Sequence, residues 1–347
     1  MTLILTLFTS KNLPPLNSFG RIFRVHIFGE SHGESVGLVI DGCPAGLPLS
    51  VQDFLEDIER RKGGAKGTTP RKEDDLPIFK SGIFNNKTTG APITILFENN
   101  NTRSTDYAKQ RDVPRPGHAD FVASKKFGGN EDYRGGGHFS GRLTVCLVAA
   151  GVVAKKVLDH IKVVANITEV GGETDVEKGL QNAIDAKDSV GGIVECTVHG
   201  LPIGLGEPFF DSVESLISHA VFAIPAVRGI EFGTGFWSAR MFGSQHNDAI
   251  EAMDGRTATN HAGGVVGGIT NGNNMVFRIA IKPTSSTPKE QQTLNWQTGQ
   301  VEPFAVRGRH DLCIALRVPV VLEAVTALVI ADLLFLENQV SRVVKSI

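Results

Sequence analysis

Two patterns of hydrophobic and polar positions alternate along the chain. Short runs rich in β-branched residues and closed by turn residues predict strands over VGLVIDG (36–42), APITILFEN (91–99) and MVFRIAIKP (275–283). The segment SVQDFLEDIERRK (50–62) differs, because its apolar positions 51, 54, 55 and 58 fall at helical spacing. We expect an amphipathic helix there, with Ser50 as its N-cap and Asp53 in its first turn.

Two longer segments are apolar on nearly every side. They are LTVCLVAAGVVAKKVLDHI (143–161) and VPVVLEAVTALVIADLLFLENQVSRVV (318–344), and both predict buried helices. The second is interrupted by Glu323 and Asp332, which is typical of a core helix and not of a membrane span. Buried helices between sheets predict a layered α+β fold.

Composition narrows the class of protein. The chain has 347 residues, 41% of them hydrophobic and 21% charged, with a net charge of −2. A general nucleic-acid or membrane-surface binder needs a large basic surplus, so both classes are disfavoured. The four cysteines form no CxxC pair, which argues against a zinc ribbon and favours reduced thiols in the cytosol. The start, MTLILTLFTSK, lacks the basic residues of a signal peptide.

Positive charge is concentrated in one glycine-rich segment. RRKGGAKGTTPRK (60–72) contains six Arg and Lys residues and no acid. One reading is a solvated basic loop; the other is an anion site, in which glycine and threonine supply backbone and hydroxyl donors. The segment is not a P-loop, because GxxxxGK[ST] is absent.

Histidines recur next to small, basic or acidic residues. They stand in GESHG (29–33), RPGHAD (115–120) and GRHD (308–311). The HxD and HD pairs could ligate a divalent metal, but the arginines and lysines among them would repel a cation. The same positive field would hold phosphates, and a bound phosphate would raise the pKa of a nearby histidine, which could then act as a general acid. The residues therefore predict a polyanion site, with KPTSS (282–286) as a phosphate cradle.

Seven motifs together resemble one family. In order along the chain they are FGRIFRVHIFGESHG, RPGHADF, DYRGGG, IPAVRGIEFGTGF, NHAGGVVGGITNG, KPTSS and GRHDLC. Their order and approximate separations are similar to those of chorismate synthase, from about Ser18 to near the C-terminus. The resemblance implies an α+β fold of the β-α-β sandwich type, with a helical layer between antiparallel sheets, and a homotetramer. It divides the chain into a poorly ordered N-terminal extension (1–17) and one catalytic domain (18–347).

The resemblance also implies an activity. That activity is a lyase reaction converting 5-enolpyruvylshikimate 3-phosphate to chorismate and phosphate, the last step of the shikimate pathway. It is a 1,4-anti elimination that needs reduced FMN without net redox change. NADPH would enter only indirectly, through a separate flavin reductase, because no additional domain is visible. We expect a cytoplasmic enzyme with no metal, nucleic-acid or membrane partner.

Site residues follow from the same motifs. The resemblance implies that His32 is the acid near the departing phosphate, that His118 protonates or stabilises the reduced flavin, and that Asp311 helps the flavin accept the C6 proton. The implied substrate-binding residues are Ser31, Arg61, Lys66, Arg71, Arg134 and Arg142. The implied FMN-binding residues are His138, Phe139, Ser140, Pro225, Ala226, Gly267, Lys282, Pro283, Thr284, Ser285, Ser286 and Arg309.

The chain departs from the family at one glycine-rich turn. The family pattern GGGRSSARET is GGGHFSGRLT here (135–144), so His138 replaces an arginine, Phe139 a serine and Leu143 a glutamate. Either FMN binds more weakly, or KPTSS and Arg309 hold its phosphate. Elsewhere RRKGGAK replaces an RRRPGQ-like loop, and GRHDLC replaces GRHDPC, which leaves Asp311 in place.

Three other classes of protein share parts of this pattern. A flavin oxidoreductase acting on a phosphorylated small molecule would consume reduced cofactor in step with product. A metal phosphohydrolase using the HxD groups would lose activity in EDTA. A non-catalytic anion-binding protein would bind its ligand without releasing phosphate.

Overall fold

Two antiparallel sheets enclose a layer of helices in the computed structural model, which describes residues 17–70, 73–101, 111–306 and 310–338. The described strands are β1 Ser18–Phe19, β2 Arg24–Gly29, β3 Ser35–Asp41, β4 Ile78–Ser81, β5 Ile83–Phe84, β6 Lys87–Thr88, β7 Ile93–Glu98, β8 Lys162–Val170, β9 Gly192–His199, β10 Val227–Phe232, β11 Val265–Val266, β12 Ile269–Thr270, β13 Met275–Ile281, β14 Gln291–Leu294 and β15 Val301–Phe304. The described α-helices are α1 Gln52–Arg61, α2 Asp120–Phe127, α3 Thr144–Leu158, α4 Val176–Ala186, α5 Val213–Val221, α6 Gly243–His246 and α7 Val318–Leu336.

The first sheet has the order β1-β2-β3-β7-β4. Its central register places Leu38 opposite Ile95 and Ile40 opposite Ile93, and these four side chains are fully buried. Alternate residues of a strand face opposite sides, so this row forms one apolar face. The strands predicted over 36–42 and 91–99 are confirmed.

The second sheet has the order β10-β13-β9-β8. In β13, Met275, Phe277, Ile279 and Ile281 are buried while the residues between them are partly exposed. This alternation gives the second sheet a single apolar face, and the strand predicted over 275–283 is confirmed.

Helices α3 and α7 fill the space between the two sheets. Helix α3 packs on β2 and β3 of the first sheet, and α7 packs on β8 and β9 of the second. The two helices also pack closely on each other, with Gly151 of α3 against Ala324 of α7. The expected sheet–helix–sheet sandwich and the buried helix predicted over 143–161 are confirmed. The buried helix predicted over 318–344 is confirmed up to Leu336, where it ends, and residues 339–344 lie outside the described residues.

The two acids within α7 have specific partners in the core. Glu323 accepts from Arg60 (2.7 Å), from Lys155 (2.7 Å) and from the Ala165 N–H (3.1 Å). The Asp332 carboxylate accepts three backbone N–H groups from residues 21–23. The segment Ile314–Leu336 is long and apolar enough to cross a membrane, but its most apolar window is 94% buried inside the fold. It is therefore the core helix of the sandwich.

The predicted cap of α1 is different in detail. The Ser50 hydroxyl contacts the Asp53 carboxylate (3.1 Å) and no backbone N–H of the helix, and the same carboxylate accepts the Ser50 N–H (2.7 Å). The prediction that the Ser50 hydroxyl caps the N-terminus of α1 was therefore wrong. A carboxylate is the stronger acceptor, and from the first turn it reaches back to the chain entering the helix.

The α3–α7 contact leaves no room for a side chain at Gly151. A Cβ there would lie 2.3 Å from the Ala324 Cβ and 2.4 Å from its Cα, so the helices would have to separate. We expect Gly151→Ala to lower the free energy of unfolding by about 1–3 kcal/mol, despite the higher helix propensity of alanine. Urea unfolding measures this, with Gly243→Ala as the control, because a Cβ at Gly243 has no neighbour within 4 Å. Equal stability of both variants would contradict the packing described.

Candidate functional site

A cavity of about 700 Å³ opens where the helical layer meets the loops between strands. Its apolar floor comes from α3 and α7, through Leu147, Val321, Val325 and Leu328. The lining includes six Arg or Lys residues against three carboxylates, and four histidines. A pocket of this size with an apolar floor and a cationic wall is suited to a ring-shaped anionic ligand.

Two buried arginines share one carboxylate in the wall. Arg61 Nη2 lies 2.7 Å from Asp75 Oδ2, and Arg142 Nη1 pairs with Asp75 Oδ1. All three side chains are at least 96% buried. Burial lowers the pKa of Arg61 to about 10 although Asp75 opposes this, so the guanidinium is still charged at neutral pH. Burial would raise the pKa of Asp75, but the two guanidiniums lower it below its ordinary value.

Within this group of three side chains the positive charge exceeds the negative, and Glu73 is a further buried carboxylate in the cavity lining. Two guanidiniums face one carboxylate, and Arg61 Nε has no hydrogen-bond partner within the described part of the chain. A buried charge without full compensation is costly unless a ligand completes it. An anion in the cavity would provide that compensation.

Asp311 is held in place by groups from two other segments. Its carboxylate accepts from Arg317 Nη1 (3.0 Å) and from the Thr69 N–H (2.9 Å). Arg317 also donates from Nε to the Arg61 carbonyl (2.7 Å). The loop that follows α1 is thus tied to the GRHD motif, and the Asp311 carboxylate has a fixed direction at the cavity wall.

His118 is oriented by an acid on the next helix. Its Nδ1 lies 2.5 Å from Asp120 Oδ1, and Asp120 also accepts from Arg115 at 2.8 Å through Nε and Nη2. Burial would raise the pKa of Asp120, but hydrogen bonds from Arg115 and His118 hold it well below its ordinary range. Arg115 Nη2 also lies 3.0 Å from Nδ1, so this nitrogen is engaged on two sides and Nε2 is the atom available to exchange a proton.

The same contacts argue against a metal at the HxD pair. The Asp120 carboxylate is already engaged by the Arg115 guanidinium, which would repel a cation. The residues that the structure describes contain no group of three or more His, Cys, Asp or Glu side chains able to hold a metal ion.

A turn of three consecutive glycines separates His118 from His32. Gly135, Gly136 and Gly137 all have positive φ (60°, 82° and 53°), which a residue with a Cβ adopts only with strain. A Cβ on Gly135 would lie 2.5 Å from the His32 ring, and one on Gly136 would lie 3.2 Å from the His118 ring. Both imidazoles therefore pack directly on the glycine backbone, from different sides.

The KPTSS segment (282–286) forms another part of the cavity wall, next to the segment that carries His118. Lys282 Nζ lies 2.9 Å from Ser285 Oγ, which donates to the Gly117 carbonyl (2.7 Å). Ser286 Oγ lies 3.2 Å from Arg115 Nη1. Burial lowers the pKa of Lys282, helped by Arg228. The hydroxyls and the lysine are thus joined to the segment that carries His118.

Most of the predicted site residues line this one cavity. They are Arg61, His118, His138, Phe139, Ser140, Arg142, Pro225, Ala226, Lys282, Thr284, Ser285, Ser286 and Asp311. Arg71 and Arg309 lie outside the described residues. Ser31, His32, Lys66, Arg134, Gly267 and Pro283 do not contribute to the lining.

His32 and Ser31 lie just behind the wall. Both are buried, and the Gly135 backbone, which lines the cavity, separates the His32 ring from it. Pro283 lies between lining residues Lys282 and Thr284. These three positions are adjacent to the site although they do not face it.

Lys66, Arg134 and Gly267 have other surroundings. Lys66 is half-exposed and lies 3.4 Å from Glu177, while Arg134 pairs with Asp132 at 2.7 Å. Gly267 lies in the β11–β12 hairpin, which packs at the N-terminus of α5 through the Gly268 carbonyl. The cavity is lined by the opposite end of that helix, about 10 Å away at 1.5 Å per residue.

Several lining residues were not predicted. Arg115 stands in the RPGHAD motif, so its spacing from His118 was an available signal, whereas Asp75 and Arg317 stand in no motif. Asn17 was assigned to the extension but lines the cavity, and its carbonyl accepts the Ile27 N–H (3.0 Å). Long-range pairs of this kind carry no local sequence signal.

Comparisons with known proteins agree on one family. The chorismate synthase family model matches residues 23–335. Chorismate synthase of Chitinophaga pinensis is 72% identical over 332 residues, which cover 95% of this chain and 100% of that protein. Chorismate synthase of Dehalococcoides mccartyi is 44% identical over 361 residues, covering 95% and 99%. A crystal structure of chorismate synthase superposes with a TM-score of 0.70 at 26% identity, covering 92% and 93% of the two chains.

The Asp75 pair predicts a pH-dependent stability. The pKa of Asp75 is lower in the folded chain than in the unfolded chain. The stabilisation that Asp75 contributes to the fold is therefore complete above about pH 4, and it is lost as the pH falls through the lowered pKa. We expect Asp75→Asn, which leaves two buried guanidiniums unpaired, to cost about 3–5 kcal/mol at neutral pH. The difference from wild type should narrow in acid. Urea unfolding across pH measures it, with the highly exposed Asp159→Asn as control. A difference that stays constant with pH would contradict the pairing.

Proposed function

The chain belongs to the chorismate synthase family, and we propose that it converts 5-enolpyruvylshikimate 3-phosphate to chorismate and phosphate with reduced FMN. The chain is an enzyme of the shikimate pathway. The observation that carries the detailed proposal is one cavity whose wall combines buried guanidiniums with a histidine whose Nδ1 is engaged by Asp120 and Arg115. In the proposed elimination a proton leaves C6 and phosphate leaves C3, and the two electron pairs rearrange into the diene of the product.

Charge complementarity supports this substrate. The substrate has one phosphate and two carboxylates, and Arg61, Arg142 and Lys282 line the cavity from different segments. Arg61 and Arg142 are fixed by Asp75, so little side-chain freedom is lost when they bind an anion. The departing phosphate is stabilised by cations already oriented toward it.

The residues present also fit a flavin. The apolar floor from α3 and α7 suits a flat ring, and Thr284, Ser285 and Ser286 with the 138–140 turn offer hydroxyl and backbone groups for a phosphate. When bound, reduced FMN assists loss of the proton and the phosphate and ends the reaction as it began, so there is no net redox change. Since Arg309 lies outside the described residues, KPTSS is the described part of the proposed phosphate cradle.

His118 and Asp311 are the proposed proton-handling groups in the wall. His118 exchanges a proton at Nε2, because Nδ1 is engaged by Asp120 and Arg115. Asp311 keeps its direction through Arg317 and Thr69, and it assists removal of the C6 proton. Arginine and lysine do not readily donate protons at neutral pH, so these groups supply the acid–base function of the site.

His32 is proposed as the acid for the departing phosphate. Gly135 carries no Cβ, so a single backbone segment lies between the His32 ring and the cavity, and the ring stays close to a ligand bound there.

The cellular setting is proposed on the same basis. We place the enzyme in the cytoplasm as a homotetramer, with NADPH entering only indirectly through a separate flavin reductase. Large exposed apolar side chains support self-association, among them Phe236, Trp237, Phe242, Ile250 and Met253. The four cysteines are buried and free, as expected in a reducing compartment.

Anaerobic turnover tests the reaction. The purified chain is incubated with 5-enolpyruvylshikimate 3-phosphate and dithionite-reduced FMN, and phosphate and chorismate are followed together. We expect equal amounts of both products, no consumption of reduced flavin and no inhibition by EDTA. Flavin oxidation in step with product would indicate an oxidoreductase instead, and binding without phosphate release would indicate an anion-binding protein.

Removal of either imidazole tests the proposed acids. We expect His32→Ala and His118→Ala each to lower kcat by about 10²-fold or more in this assay, because general acid–base groups contribute on that scale. His160→Ala is the matched control, since this histidine is exposed and does not line the cavity. Wild-type turnover of either site variant would remove that histidine from the mechanism.

A further inference from the structure

His138 joins three segments at the cavity wall. Its Nδ1 lies 2.8 Å from the carbonyl oxygen of Gly29, and its Nε2 lies 3.2 Å from Asn17 Oδ1. Gly29 is the last residue of β2, and Asn17 directly precedes β1. The ring thus connects the glycine turn with the start of the loop that carries His32.

The direction of the hydrogen bond to Gly29 follows from chemistry. A carbonyl oxygen only accepts, so Nδ1 carries a hydrogen whether the ring is neutral or charged. Nε2 accepts from the Asn17 amide in the neutral ring and donates to its oxygen in the charged ring, since an amide can turn over. The Nδ1 bond therefore persists in both states, and His138 acts as a fixed connection.

A second hydrogen bond joins the same two segments nearby. The Ser31 N–H donates to the Gly137 carbonyl (3.1 Å), so the loop is attached to the turn on both sides of Glu30. The loop closes on itself through the Gly33 N–H and the Glu30 carbonyl (3.1 Å), and the Asn99 amide holds its other side by donating to the Glu30 and Gly33 carbonyls (3.0 and 2.9 Å). His138 and Ser31 therefore fix the side of the loop that faces the turn, where the His32 ring packs directly on Gly135.

We propose that His138 is a positioning residue for His32. By donating to the Gly29 carbonyl, its imidazole holds the 29–33 loop against the triple-glycine turn and sets where the His32 ring lies. This role is distinct from the contact with FMN implied by the motif. The turnover test of this role rests on the proposed function. The position of His32 can be observed without substrate, so the structural test does not.

Replacing His138 by side chains of different length distinguishes loss of the hydrogen-bond donor to Gly29 from loss of side-chain volume. Asn places its amide nitrogen about as far from the backbone as Nδ1 of histidine, so His138→Asn keeps a donor for Gly29. His138→Gln carries its amide one bond further and corresponds to Nε2, and His138→Ala removes both. His160→Ala is again the control for loss of a histidine elsewhere.

The direct measurement is NMR of the histidine side chains without substrate or flavin. We expect the His32 ring resonances to shift or broaden in His138→Ala and His138→Gln, and to return toward their wild-type positions in His138→Asn. His160→Ala should leave them unchanged. Unchanged His32 resonances in His138→Ala, or changes that asparagine fails to reverse, would overturn the proposal.

Turnover provides the second measurement. We expect kcat of His138→Ala and His138→Gln to fall by about 10–10²-fold, the scale of a small misplacement of a reacting group, with KM changing less. His138→Asn should recover most of that loss at a similar melting temperature. A kcat of His138→Ala equal to wild type would contradict the role. An inactive wild type would remove the proposed function, while the NMR comparison would still decide the role of His138.

Discussion

Buried positive charge that exceeds its buried partners is the constraint on which the site depends. Asp75 carries one charge and faces the guanidiniums of Arg61 and Arg142, which line the cavity. Such a group is stable only if the surrounding fold is rigid, because each ion has lost its hydration. The sandwich provides that rigidity, since α1, which ends at Arg61, and α3, which follows Arg142, both pack in the helical layer.

A second constraint on the site is that two imidazoles lie close to one backbone segment, which is possible because that segment consists of glycines. His32 and His118 pack on successive residues of the turn, and any Cβ there would occupy space that a ring now fills. The cost is a flexible segment, and it is offset by two hydrogen bonds: His138 donates to the Gly29 carbonyl of the neighbouring loop, and the Ser31 N–H of that loop donates to the Gly137 carbonyl of the turn. The glycines thus allow the two imidazoles to approach the backbone closely, whereas His138 and Ser31 fix the position of the turn.

Much of the fold and of the candidate site could be predicted from the sequence, because the features concerned depend on residues close together in the chain. Strand alternation and the two all-apolar helices gave the layers, and the motifs placed His118, Asp311 and Lys282 in one cavity. Asp75 and Arg317 could not be predicted, because they stand in no motif and contact Arg142 and Arg61, which are distant from them in the chain. Lys66 and Arg134 lie outside the cavity lining and pair with acids, which the sequence did not indicate, because a basic side chain beside a motif need not face the site.

The most direct test of the account is whether the cavity recognises the phosphate of its substrate. Calorimetric titration of the flavin-free protein would compare 5-enolpyruvylshikimate 3-phosphate with the same compound lacking the phosphate. Excess buried cations predict that the phosphorylated compound binds at least about tenfold more tightly, a difference of about 1.4 kcal/mol, and that this advantage decreases as salt is added. Equal affinities at low salt would contradict the account.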